Sequence, residues 1–321
     1  MADFQIFIDG GAGTTGLQVA SRLAARPDLD LLILEEDQRK DEGARRAALA
    51  KADLAILCLP DDGAIQAAQW VVEDGLNTRL IDASSAHRVA AGWTYGFAEM
   101  RAGQKQAIEQ AQFVSNPGCY PTGFLSLACP LRASGLLLAD AMLHVPAVSG
   151  YSGGGKGLIN AFEAGEEPPF FAYGLGLGHK HLPEMQHYAA LSTTPFFMPT
   201  VGDFAQGMLV SLPLHAAQFT QHLQASDLYD IFAEAFADQP LVSVHPVQPL
   251  ADHSFLTSKG FLAADRLAGT DRLDIAIFAN ASNSQFWLVA MLDNLGKGAS
   301  GAAVQNLNLM LGAEMTAGLN L

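Results

Sequence analysis

Three clusters in this chain have residue types and spacings that can do chemistry. Cys119 stands in Ser115-Asn116-Pro117-Gly118-Cys119-Tyr120-Pro121-Thr122, between an apolar stretch ending at Ser115 and an amphipathic run from Thr122 to Leu127. Asn-Pro-Gly is turn chemistry, so the thiol is predicted at the start of a helix. There the helix dipole favours a thiolate, and first-turn N–H groups can hold a developing oxyanion. A cysteine nucleophile needs a proton acceptor, and Gly178-His179-Lys180-His181-Leu182-Pro183-Glu184 offers two imidazoles. Pro183 suits a first helical turn, where Glu184 complements the dipole, and His181 and Glu184 lie three apart, as residues on one helix face do. The third cluster, Gly10-Gly11-Ala12-Gly13-Thr14-Thr15-Gly16, follows an apolar strand and precedes helical spacing at Leu17, Val19, Ala20 and Leu23. Strand, glycine turn and helix in that order suit a dinucleotide pyrophosphate.

One chemistry joins the three. Hydride cannot usefully attack a carboxylate, whose carbonyl is electron-rich. A thiolate that displaces a good leaving group forms a thioester, which hydride can reduce, and collapse of the hemithioacetal releases an aldehyde. This logic predicts an aldehyde dehydrogenase or an acyl-phosphate reductase.

Other motifs are weighed against that frame. Asp82-Ala83-Ser84-Ser85-Ala86-His87-Arg88 follows a strand, which makes Arg88 a candidate anion clamp and Arg101 a lesser one. Gly150-Tyr151-Ser152-Gly153-Gly154-Gly155-Lys156-Gly157 nearly matches the nucleotide-phosphate loop, but Gly157 replaces the magnesium-binding hydroxyl. A loop holding some other anion with backbone N–H groups and Lys156 is the better expectation. His179 and His181 lack a third ligand at metal spacing, so no metal is expected.

The elements that must position these residues are legible in outline. Phe4 to Asp9, Leu31 to Leu34, Ala52 to Pro60 and Arg79 to Asp82 read as strands, with a helix over Ile65 to Val72 and Cys58 in the core. Their alternation predicts an α/β fold whose first part is a Rossmann-type doubly wound domain. Past the second strand, Glu35 to Asp37 would favour NAD and Arg39-Lys40 would favour NADP, so the local residues leave the cofactor open. Beyond Cys119, strands are expected over Met142 to Ser149, Gln206 to Ala216 and Phe255 to Leu262, with a hairpin formed by Leu273 to Ala281 and Gln285 to Leu292. Together with a helix over Ser226 to Phe236 they predict an α+β domain with a mostly antiparallel sheet. Gly298 to Leu311 reads as helical.

At 321 residues the chain suits two domains, and half of it is hydrophobic with 16% charged, a globular composition. No apolar run reaches membrane-spanning length; the most tempting stretch, Thr122 to Leu143, is interrupted by Pro130, Arg132 and Asp140. Met1-Ala2-Asp3 carries no basic stretch, so no signal peptide is expected. Three cysteines at unrelated spacings suit a reducing cytoplasm without disulfides. A net charge of −15 argues against nucleic-acid or anionic-membrane partners and requires local cations for an anionic substrate.

The glycine loop, the Asp82 to Arg88 run, the cysteine motif, the histidine motif and Asp293-Asn294-Leu295-Gly296-Lys297-Gly298-Ala299-Ser300-Gly301-Ala302-Ala303-Val304-Gln305-Asn306 together resemble the N-acetyl-gamma-glutamyl-phosphate reductase family of arginine biosynthesis, in its shorter form. That family sits within the wider aspartate-semialdehyde dehydrogenase-like group. The resemblance covers nearly the whole chain; its cysteine and histidine motifs are specific and its glycine loop generic. It implies an NADPH-dependent reduction of N-acetyl-L-glutamyl 5-phosphate to the semialdehyde, with phosphate released and Cys119 as the acylated nucleophile. It implies His181 or His179 as acid/base, with His181 favoured and Glu184 orienting it. NADP(H) would contact Gly10, Gly13, Thr14, Thr15, Gly16, Ser84, Gly298 and Asn306, and the substrate Asn116, Arg88 and Lys156. The resemblance also implies a discontinuous nucleotide domain of residues 1–118 and 294–321, a catalytic and oligomerisation domain of residues 119–293, and a cytoplasmic homo-oligomer, dimer or tetramer. A reductase of aspartyl phosphate differs by one methylene, worth only about 1–3 kcal/mol of discrimination. A dinucleotide sensor would need no poised thiol, and a cysteine hydrolase would leave the first 115 residues without a purpose.

Overall fold

The computed structural model describes residues 2–321; Met1, where the expected leaderless start begins, lies outside them. In chain order the strands are β1 (Phe4–Asp9), β2 (Leu29–Leu32), β3 (Leu54–Leu57), β4 (Arg79–Asp82), β5 (Thr94–Tyr95), β6 (Phe113–Ser115), β7 (His144–Gly150), β8 (Phe170–Ala172), β9 (Phe196–Gly202), β10 (Met208–His215), β11 (Val242–Val244), β12 (Leu273–Ala279) and β13 (Gln285–Leu292). The helices are α1 (Thr14–Leu23), α2 (Glu42–Lys51), α3 (Asp61–Glu73), α4 (Gln104–Gln110), α5 (Cys119–Ala133), α6 (Gly155–Glu163), α7 (Leu182–Tyr188), α8 (Ala225–Ala235) and α9 (Gly301–Leu311). Two compact units result. One holds the chain up to Ala98, Ala102–Gly118 and Ala299–Leu319; the other holds Glu99–Arg101, Cys119–Gly298 and Asn320–Leu321.

In the first unit β1 to β6 form a parallel sheet in the order β2-β1-β3-β4-β6-β5. Successive side chains of β1 serve opposite layers, as the period of a strand requires. Ile6 and Ile8 join Val19 and Leu23 of α1 and Val304 and Leu307 of α9, whereas Phe7 joins Leu49 of α2 and Val71 of α3. Burial on both faces explains why β3 reads as an unbroken apolar run. The second strand is Leu29–Leu32 and not residues 31–34, because Ile33 and Leu34 already lie past the last pair, Phe7 with Leu32. β2 and β3 flank β1 on opposite sides, so the glycine turn after β1 lies at the topological switch point.

In the second unit the sheet runs β11-β12-β13-β10-β7-β9-β8, antiparallel except for β11 with β12 and β7 with β9. The alternation in β10 holds, with Met208, Val210, Leu212 and Leu214 buried. α5 packs on β10 and β13, and α8 on β12. The strand expected over Phe255 to Leu262 is absent: these residues are turns, with Gly260 at φ +77°. Phe255 instead tucks with Leu267 against Val289 and Met291. The sheet edge beside β12 is the short β11, which pairs parallel. Among the described residues no helix is long and apolar enough to cross a membrane.

Asp274 of β12 is fully buried and accepts from His245 Nε2 at 2.9 Å and Arg272 at 3.1 Å. Burial alone would raise its carboxyl, but the bond from His245 and the charge of Arg272 outweigh it and hold the acid below its ordinary value. Its ionised form therefore stabilises the fold above the unfolded carboxylate range, and that contribution disappears as pH falls through the lower folded value. Asp274→Asn is expected to cost roughly 3 kcal/mol at pH 7 by urea unfolding, with the gap to wild type closing as pH falls through the lowered folded value of Asp274.

Candidate active site

The first unit provides an anion cradle. The chain leaves β1 through Gly10 at φ +83°, where a Cβ would lie 2.3 Å from the Cys58 carbonyl oxygen. A Cβ on Gly16 would lie 2.5 Å from the Gly10 carbonyl oxygen, so neither position accepts a side chain. The Gly13 N–H donates to the Gly10 carbonyl at 3.0 Å, and Thr14 and Thr15 open α1 with no acid in its first turn. The open, side-chain-free approach and the helix N-terminus fit a pyrophosphate. Asp9 beside this loop is buried and held by Arg45 Nε and Nη2 at 3.0 and 2.8 Å. Burial pushes its carboxyl up and the Arg45 pairing opposes that. Glu35 to Asp37, Arg39 and Lys40 are all exposed past β2, with Arg39 Nε donating to the Leu34 carbonyl at 3.2 Å.

Several residues expected to touch ligands are joined in a buried network at the carboxyl ends of β4 and β6. Asp82 accepts from the Ser84 N–H and hydroxyl, each at 2.8 Å, and lies 2.6 Å from His87 Nδ1. Arg88, buried, donates from Nε to the Asn116 carbonyl at 3.1 Å. Asn116 donates to the Ala299 carbonyl, and Asn306 donates to Gly96 and to Asn116 Oδ1, all at 3.0 Å. Asn306 is fully buried and Asn116 nearly so. The side-chain donors of Ser84, Asn116 and Asn306, all expected to touch ligands, thus already have protein acceptors.

Cys119 opens α5 and is half-buried. Burial pushes Cys58 and Cys129 up to about 12, so both stay protonated at neutral pH. Gly298 presses on the nucleophile candidate: a Cβ there would stand 2.7 Å from Cys119 Cβ. Next to it, the Tyr120 ring centroid lies 6.0 Å from His181, 6.3 Å from His179 and 5.0 Å from Phe197, and its hydroxyl donates to the Thr200 carbonyl at 3.1 Å. The two imidazoles are 4.7 Å apart. His181 is the N-cap of α7 and is buried, and Glu184, also buried, stands in that helix's first turn. The His181 backbone N–H donates to His179 Nδ1 at 3.2 Å, which places the His179 proton on Nε2. Tyr173, not singled out by sequence, is hydrogen-bonded to Tyr120; burial first, and the nearby Cys119 charge, push its phenol up to about 12 against that bond. No residue pattern around Tyr173 announced this, since it follows the short β8 in an irregular stretch.

In the loop before Lys156, several N–H groups already have protein acceptors. The N–H groups of Gly150, Tyr151 and Ser152 donate to the carbonyls of Gly207, Phe204 and Ala205, and that of Gly155 donates to Ser152. Residues 151–154 form a 3₁₀ turn, and Lys156 lies exposed in the first turn of α6. Among the described residues no group of His, Cys, Asp and Glu is arranged to hold a metal ion.

A thiol at a helix start near an imidazole pair, carried on a mixed sheet in a chain that also holds a dinucleotide-type fold, is the combination expected of a semialdehyde dehydrogenase-like enzyme. Residues 119–294 match the family described as "Semialdehyde dehydrogenase, dimerisation domain". The fold is shared with the aspartate semialdehyde dehydrogenase of Francisella tularensis, at 13% identity and TM-score 0.72 over 96% of this chain and 100% of that one. It is shared too with that of Candida albicans, solved with NADP, at 14% identity and TM-score 0.63 over 97% and 99%. N-acetyl-gamma-glutamyl-phosphate reductase 2 of Nostoc sp. is 46% identical over 98% of this chain and 99% of its own length. The chain belongs to the N-acetyl-gamma-glutamyl-phosphate reductase family and is an oxidoreductase.

Proposed function

We propose that the protein reduces N-acetyl-L-glutamyl 5-phosphate to N-acetyl-L-glutamate 5-semialdehyde with NADPH, a step of arginine biosynthesis, through an acyl-thioester on Cys119. The observation that carries this reading is a half-buried thiol at the first residue of α5, beside an aromatic cage containing His179 and His181, while the other two thiols are held protonated. His181 takes the Cys119 proton, the sulfur attacks the acyl carbon, and the carbon–oxygen bond to phosphate breaks as the proton passes to the leaving phosphate. First-turn N–H groups of α5 stabilise the oxyanion. The Gly10–Gly16 cradle would hold the pyrophosphate of NADPH, which would supply the hydride that reduces the thioester; the Candida albicans neighbour was solved with NADP. The carbon–sulfur bond then breaks, the aldehyde leaves, and the sulfur recovers a proton by way of His181. Arg88, Lys156 and Lys180 are the cations proposed to recruit the anionic substrate in an acidic chain.

Side-by-side assays of phosphate-dependent oxidation of N-acetylglutamate semialdehyde and aspartate semialdehyde, each with NADP and NAD, test the proposal. Preference for the acetylated substrate and NADP is expected. Turnover of aspartate semialdehyde alone would overturn the substrate assignment.

The domain beginning at Cys119 is also proposed to dimerise, as the matched family's description suggests. The sheet face opposite α5 and α8 leaves Phe196, Met198 and Trp287 exposed by 45%, 37% and 41%. A groove of about 520 Å³ runs beside Trp287, Phe278 and Pro213. Solvated aromatics on a sheet face mark an interface. Met198→Glu with Trp287→Glu is expected to convert an oligomer to monomer by light scattering at micromolar concentration; an unchanged mass would move the interface elsewhere.

A further inference from the structure

Lys297 and Glu99 form an ion pair that the chemistry above does not use. Lys297 Nζ lies 2.7 and 2.8 Å from the two carboxylate oxygens of Glu99, and the residues are 1% and 3% exposed. Removing two charges from water is costly, and an apolar pair of similar volume often serves stability as well. Such a pair fixes geometry: an ammonium between two carboxylate oxygens has one good arrangement, where apolar side chains can slide.

The geometry it fixes lies against the thiol. Lys297 belongs to a π-type turn, residues Gly296–Ser300, a rare local structure found disproportionately at functional sites. Asp293 starts this turn, its Oδ1 accepting from the Leu295 and Gly296 N–H groups at 2.8 and 3.2 Å and its carbonyl from the Gly298 N–H at 2.9 Å. The residue after Lys297 is Gly298, whose absent side chain makes room for Cys119 Cβ. Glu99 comes from the short stretch Glu99–Arg101, which packs with the second unit although its chain neighbours belong to the first. The turn is thus held at its start by Asp293 and in its middle by Glu99.

We infer that Lys297 and Glu99 are positioning residues for Cys119, holding the π-type turn so that the Gly298 backbone fixes the sulfur in the orientation attack requires. The inference rests on the assignment of Cys119 as nucleophile. Small displacements of a reacting group are costly, about 10²-fold in rate for 1 Å.

The test compares wild type with the double variant Lys297→Met/Glu99→Gln, which removes both charges without leaving either unpaired. Iodoacetamide alkylation of Cys119 is followed from pH 6 to 9 by peptide mass spectrometry, beside kcat and KM for semialdehyde oxidation. The expected result is alkylation slowed about tenfold or more and kcat lowered about 10²-fold with KM within threefold, the split that marks lost positioning and not lost binding. A folded double variant with wild-type alkylation and kcat would overturn the inference. If the double variant does not fold, Glu99→Asp keeps the charges but shortens the reach by one methylene; it is expected to slow alkylation and kcat together, and unchanged values there would equally overturn it. A wild-type Cys119 that resists alkylation would instead refute the nucleophile assignment, so the two failures read differently.

Discussion

Cys119→Ser is expected to lower kcat/KM for the acyl phosphate by at least about 10⁴-fold, or roughly 5.4 kcal/mol of transition-state stabilisation. A serine hydroxyl at the first residue of α5 would be almost wholly protonated at neutral pH, and its alkoxide is a poor leaving group when the reduced adduct must collapse. The helix-start environment that favours a thiolate cannot close so large a gap in acidity. Cys58 and Cys129 cannot substitute, because burial pushes both up to about 12. NADPH binding, measured by fluorescence titration, is expected to survive. Turnover within tenfold of wild type would remove the thioester route.

His181→Asn is expected to lower kcat by about 10²–10⁴-fold, the usual worth of a positioned acid/base, while His179→Asn costs about tenfold or less. The difference follows from their bonding. His179 Nδ1 already accepts from the His181 backbone N–H, and its ring is enclosed edge-on by Tyr120, Tyr173 and Phe197. A brace for the start of α7 is therefore the role proposed for His179. His181 is that helix's N-cap, with Glu184 in the turn that follows. Steady-state rates across pH should show the lower limb of the profile vanish in His181→Asn and persist in His179→Asn. The opposite pattern would exchange the two roles.

Much of this was legible in the sequence where local rules decide. The unbroken apolar run of β3, the alternation of β10 and the hairpin of β12 and β13 follow from burial on two faces or one. Cys119 at a helix start followed from turn chemistry alone. Other features were hidden for physical reasons. β9 contains Pro199, which speaks against a strand, yet it pairs with β7 and β8 at once. Phe255 to Leu262 looks apolar enough for a strand, but Gly260 turns the chain and Phe255 is needed in a side cluster. In the glycine loop before Lys156, the N–H groups of Gly150, Tyr151 and Ser152 are taken by carbonyls of residues 207, 204 and 205, which no local pattern announces. Lys297 and Glu99 are 198 residues apart, and nothing local marks either as buried.

The most direct measurement of the central claim is to mix the protein with N-acetylglutamyl phosphate in the absence of NADPH, quench in acid, and map the modified peptide by mass spectrometry. The account predicts one acyl group on the peptide bearing Cys119, released as thiol by hydroxylamine and discharged to semialdehyde when NADPH is added before the quench. A stable protein that turns over this substrate but never acylates Cys119, or acylates elsewhere, would contradict it.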